Sequence, residues 1–385
     1  MKSKGSFYKR IFLLTFIISL ITLLGVCDYL IPNALSDIAK GEQSDIGGII
    51  MLENKDTSKT VASLFGVPLK SVSTNNTDDS YVYLGGDAIG VKFYTGGAMV
   101  VGISDVGKGK ISSPARNAGL KMGDLITKVD GQKVESTQMF QKIIENSEGK
   151  TLLIEFKRGD KIKNATLSPV KNEDGAYKAG MWIRDSTAGI GTVTYVTADG
   201  IFGSLGHGIS DADTGTLMPL SRGSCVKISV DYAVKGKPNV PGELKGVFSN
   251  NTTGSLVSNT ATGLYGSFTA DNYKNRELVK LGTKDDIHIG KAQIIATVDE
   301  QGSKFYDIEI AQIVQGSKDG KNLIVKITDD ELIKKTGGIV QGMSGSPIIQ
   351  DGKLVGAITH VMVGDPTRGY GIYIENMLNN SPKVS

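Results

Sequence analysis

Two short stretches of this sequence combine a reactive side chain with the backbone freedom to use it. One is Gly342-Met343-Ser344-Gly345-Ser346-Pro347, a glycine-flanked serine ahead of an apolar run; the other is Gly206-His207-Gly208. A serine hydroxyl becomes a nucleophile when a base takes its proton, a third group orients that base, and donors receive the charge developing on the attacked carbonyl. Glycines around Ser344 let backbone amides point inward, and those of Gly342 and Ser344 are the natural oxyanion donors. Among the three histidines, His207 is the one in an equally open setting. The chemistry within reach is acyl transfer, with Ser344 attacking and His207 moving the proton. Ser346 is the weaker nucleophile, because Pro347 follows it and offers no amide. A nucleophile elbow, Gly-x-Ser-x-Gly, is not met, since position 346 is serine.

Spacing leaves the orienting acid open. Asp211 follows His207 by four residues and could bond the backbone of its loop; Asp231 is also allowed, and Asp329 could take a pocket role. Asp329 precedes "DELIKK", where an aspartate equally suits a helix N-cap. His288 and His360 alternate with apolar neighbours and read as structural strand positions. Three scattered histidines without cysteine pairs lack the spacing of a metal site, and no cofactor is expected. Cys225 reads as a small buried residue, and Cys27 falls in the N-terminal apolar segment, so no disulfide framework is expected. "GISDVGKG" resembles a phosphate loop but has Gly109 where Ser or Thr must meet magnesium, so nucleotide binding is discarded.

The elements that must position these residues are mostly strands. The chain has 385 residues, a net charge of +3 with both signs mixed, and 49 glycines punctuating short Val/Ile/Thr/Tyr runs. That pattern favours β architecture and leaves no electrostatic footprint for nucleic acid. Asp199-Gly200 between two β runs predicts a hairpin that delivers His207 just past a strand. Phe140, Ile143 and Ile144 share one face of a predicted helix. Residues 1–32 carry Lys2, Lys4, Lys9 and Arg10 ahead of an uncharged run from Ile11 to Val26. Such a start directs export as a signal or an anchor, with the body of the protein outside the cytoplasm. Residues 33–80 read as a polar spacer, 81–172 and 173–385 as two domains.

"PARNAGLKMGDLITKVDGQKV" resembles a PDZ domain of the bacterial protease type. On that resemblance Ile89, Gly90 and Val91 form the loop that holds a peptide's C-terminal carboxylate, and the adjacent strand edge accepts the peptide. "GHGISD" and "GMSGSPI" are similar to the trypsin-like serine peptidases, with one member in each half of a double β-barrel. Taken together, the chain resembles the PDZ-containing, trypsin-like serine peptidases of endospore formers, the stage IV sporulation protein B family. The resemblance implies a mainly β fold: an N-terminal membrane segment, a PDZ domain, then a double-barrel peptidase domain. It also implies that Asp329 completes a triad with His207 and Ser344. The activity it implies is that of a serine endopeptidase exported into the space between the forespore membranes, tethered or secreted. Its expected substrates are a membrane-bound regulator and itself, activating intramembrane processing of a late sigma factor. A non-catalytic exported PDZ adaptor and a general quality-control protease are the competing readings.

Overall fold

The computed structural model describes residues 81–107, 111–314, 316, 317 and 320–382, together with Thr15 and the strand backbone of 34–36, 43–46, 50–56, 59–64 and 67–75. The signal or anchor segment, with Cys27, otherwise lies outside the described residues. Among the described residues no helix is long and apolar enough to cross a membrane.

Two compact units divide at residue 81. In the first, Gln43–Ile46, Ile50–Asp56, Lys59–Leu64 and Val67–Asn75 form an antiparallel meander, and Ala34–Ser36 joins its last strand in parallel. The span that reads as a polar spacer thus carries a five-stranded sheet. Runs such as Lys59-Thr60-Val61 and Val67 to Val72 hold β-branched residues whose strand preference outweighs their polar neighbours.

The second unit contains two closed β-rings. The strands Gly290–Thr297, Ser303–Ile313, Leu323–Ile327, Asp365–Tyr373, Lys353–Met362 and Pro347–Gln350 pair in that order, and the last returns to the first. Ile294, Tyr306, Ile308, Leu323, Val325 and Ile358 fill this ring. In the same way Met181–Val196, Ile201–Ser204, Gly263–Phe268, Glu243–Thr260, Arg222–Val234 and Ala88–Ile103 close a first ring. Its core holds Val91, Phe93, Val193, Phe202, Cys225 and Leu264. Inward residues alternate along these strands because successive side chains point to opposite faces.

The PDZ fold lies between the first two staves of that ring. Helix Thr137–Asn146 packs Phe140 and Ile144 on Ile126, Val129, Ile154 and Phe156. Its N-cap is Ser136, whose hydroxyl accepts from Met139 N at 3.2 Å. The buried Asp124 carboxylate takes two bonds from Arg158, at 2.7 and 2.6 Å, tying the Gly123-Asp124 turn to the strand Leu152–Arg158.

One sequence expectation fails here. Ile89, Gly90 and Val91 are not a free carboxylate loop. They sit mid-strand, Gly90 opposite Ile190 on one side and Val226 on the other. Ile89 and Val91 are buried in the first ring, and a Cβ on Gly90 would come within 2.6 Å of Phe248. Amides committed to two ladders cannot form an anion nest, and a strand with both edges paired cannot accept another. The strand continues to Ile103 inside the PDZ core, so the 81–172 span lends the first ring one of its strands.

Candidate active site

Ser344 and His207 arrive from different rings on turns that touch. Leu205 (φ 66°) and Gly206 (φ 67°) reverse the chain after Ile201–Ser204 and present His207. Gly342 (φ 102°) and Gly345 (φ 94°) do the same around Ser344. A side chain on Gly345 would collide with Thr192 O and Leu205 N, so glycine is required where the two turns meet. A cavity of about 460 Å³ opens there. Ser344, His207, Gly342, Thr359 and His360 line it along with Val91, Ile190, Leu205, Ile339, Val340 and Val361.

The turn amides divide cleanly. Met343 N donates to Val340 O, Gly345 N to Ile358 O and Ser346 N to Met343 O. Those of Gly342 and Ser344 make no such backbone bond within the turn and remain for an oxyanion. Their orientation is set from behind. Each lies in a rigid peptide plane whose carbonyl is bonded: Gln341 O accepts from Leu244 N at 2.8 Å, and Met343 O from Ser346 N at 3.0 Å.

His207 is half-buried, and its Nδ1 lies 2.9 Å from Gly208 O. A carbonyl only accepts, so Nδ1 carries the proton and Nε2 is the basic nitrogen. Desolvation pushes its pKa below the ordinary value, partly opposed by the Gly208 carbonyl. Ser344 Oγ donates to Thr359 O at 2.6 Å, so a change of χ1 is needed to hand its proton to His207. Such bonds often form only with substrate in place.

None of the three sequence-predicted acids bonds His207. Asp329 is the N-cap of helix Asp330–Thr336, where its Oδ1 accepts from Leu332 N at 2.9 Å and its Oδ2 from Asp307 N at 3.3 Å. It does not line the cavity. Asp231 is exposed on the strand Arg222–Val234. Asp211 is buried and does bond its own loop, accepting from Asp213 N and Thr214 N at 3.1 and 3.0 Å, while Arg184 closes an ion pair with its other oxygen. Asn259 braces the same loop, donating to Ile209 O and Met218 O and accepting from Ile209 N. Ser346 is fully buried, which removes it as a nucleophile. Cys225 is buried too, its thiol pushed up to about 12 by desolvation, and so inert.

His360 is a correction. It stands on a strand as its alternation suggests, but its exposed ring lies 4.4 Å from that of His207, at 32°, on the cavity wall. His288 is remote, paired with Asp351 at 2.9 Å on the surface. Sequence reasoning missed Arg184, Asn259, Thr192 and Thr194. The threonines left one signal: they alternate with Val193 and Tyr195 in a run buried on both faces.

A family model described as SpoIVB peptidase S55 matches residues 175–378, just over half of the chain. The chain belongs to the SpoIVB peptidase S55 family. A PDZ domain model matches residues 87–168, ahead of the S55 segment. The S55 chain is 34% identical over 70 residues to the "Putative zinc metalloprotease CPE1693" of Clostridium perfringens, covering 18% of this chain and 21% of that protein. It thus spans about a fifth of the length of that relative. Among solved structures it is similar to the PDZ domain of an SdrC-like protein of Listeria monocytogenes (30% identity, 23% of this chain and 87% of that one, TM-score 0.20). It is also similar to the HtrA-type protease AlgW with tripeptide (13% identity, 50% and 54%, TM-score 0.31).

Proposed function

We propose that this S55 peptidase is a serine endopeptidase in which Ser344 attacks the scissile carbonyl and His207 accepts its proton, then delivers it to the leaving amine. The observation that carries this reading is the meeting of Ser344, His207 and two uncommitted amides in one cavity. Gly208 O supplies the tautomer selection usually given to an acid, with Nδ1–H fixed and Nε2 left as the base. The Gly342 and Ser344 amides receive the oxyanion.

Its substrates in this reading are a membrane-bound regulator and the chain itself, cleaved outside the cytoplasm as a step in sporulation signalling towards a late sigma factor. The family membership, the PDZ domain and the basic-then-apolar N-terminus support that assignment. The test is labelling of the full chain with a fluorophosphonate, followed by peptide mapping. Label on Ser344 is expected. A folded chain that takes none would sink the catalytic reading and leave an adaptor.

The pH profile follows from the lowered His207 pKa. His207 serves as base only when neutral. The labelling rate should therefore reach half its plateau below pH 6.5, the ordinary histidine value, and be lost as pH drops through the lower folded value. A half-maximum at or above 6.5 would contradict the desolvated site.

A further inference from the structure

Both turns of the site lean on one strand. Thr192, in Met181–Val196, is almost fully buried. Its amide donates to Ser344 O at 2.9 Å, and its carbonyl accepts from Leu205 N, two residues before His207, at 3.3 Å. Its hydroxyl donates to Gly342 O at 2.8 Å. Two residues on, the buried Thr194 hydroxyl donates to Gly345 O at 2.7 Å. One face of the strand therefore carries Val193 into the first ring, while the other grips the nucleophile turn at three carbonyls.

Glycine is what makes that grip necessary. Gly342 and Gly345 hold backbone angles that only glycine adopts easily, and the same freedom lets their peptide planes swing. Gly342 shares one peptide plane with Gln341 and the next with Met343; Leu244 fixes the first and the Thr192 hydroxyl fixes the second. Thr192 thus anchors the chain on both sides of the Ser344 amide, at Gly342 O and Ser344 O. A buried hydroxyl without a partner is costly, so a β-branched apolar residue would fill this place more cheaply if packing alone were needed.

We propose that Thr192 is a positioning residue that holds the oxyanion-binding turn in its working geometry, with Thr194 bracing the far side of the same turn. This rests on the serine-peptidase reading. It adds a requirement for two hydroxyls that touch neither substrate nor the reacting atoms.

The test compares full-length wild type, Thr192→Val, Thr192→Ser, Thr194→Val and Thr194→Ser by second-order rate of fluorophosphonate labelling across pH, with folding checked by thermal unfolding. Losing a direct oxyanion donor costs about 10²–10³-fold, so loosening its support should cost about 10-fold or more in T192V. T192S, which keeps the hydroxyl, should recover most of the rate. Because T192V retains the backbone bond to Leu205, the pH at half-maximum should stay put while the plateau falls. A lowered plateau with an unmoved midpoint and serine rescue supports the proposal. Equal plateaus in T192V and wild type overturn it, as does an equal loss in T192S. If T192V does not fold, T194V against T194S decides: a serine-rescued loss supports the proposal and equal rates overturn it. Wild type that takes no label means that the catalytic reading has failed, which these comparisons would show separately.

Discussion

Ser344→Ala should abolish fluorophosphonate labelling, His207→Ala should lower it by about 10⁴-fold or more, and for the self-cleavage proposed here the double variant should be scarcely worse than either alone. Non-additivity is expected because the hydroxyl and the imidazole act as one unit, and removing either leaves only binding and the oxyanion amides. Asp329→Ala keeps the labelling rate. It loses an N-cap, at about 1 kcal/mol, with the opening of helix Asp330–Thr336 left uncapped. The three variants together decide between an acid-oriented and a carbonyl-oriented histidine. If folded D329A falls as far as S344A, the Asp329 carboxylate reaches His207 in the working state and the Gly208 bond is not sufficient.

The second large effect lies behind the site. Arg184→Met leaves the Asp211 carboxylate buried with its cation gone. Removing one partner of a buried pair costs about 3–5 kcal/mol; with Arg184 about one-third exposed, about 2–4 kcal/mol is expected. Denaturant unfolding of wild type and variant measures it. Asp211→Asn should cost less, because its amide oxygen can still accept from Asp213 N and Thr214 N. A loss below about 0.5 kcal/mol in R184M would show that water already reaches the Asp211 carboxylate. The pair also has a local role. Arg184 pairs opposite Met99 of the PDZ sheet, and its neighbour Asp185 accepts from Thr137 N at 2.7 Å, so the loop after His207 is tied to the PDZ helix through two adjacent residues.

The meeting of Ser344 and His207, the proposed nucleophile and base, was legible because each stands among glycines, and glycine leaves a visible mark. The hairpin at Asp199-Gly200 was legible from its own dipeptide, whereas the double ring followed only from the resemblance to trypsin-like peptidases. Asp329 misleads for a chemical reason: a carboxylate before a helix does a complete job as a cap, and nothing in the chain order says whether it does another. Ile89-Gly90-Val91 misleads because an apolar alternation around one glycine describes a carboxylate loop and a barrel stave equally well. Which it is depends on the partners at Ile190 and Val226, about 100 and 136 residues away in sequence. What Thr192 and Thr194 bond was not legible for the same reason, since their partners lie 150 and 151 residues on.

The strand Ala88–Ile103 gives this molecule an unusual genetics. A truncation that strips residues 81–172 in order to ask what the PDZ domain does would also pull a stave from the first ring, uncovering Val193 and Cys225 and opening one wall of the cavity at Val91. The resulting null would describe a collapsed catalyst rather than an unrecruited one. The separable lesion is an internal one, restricted to residues 104–180, with the stave Ala88–Ile103 left whole.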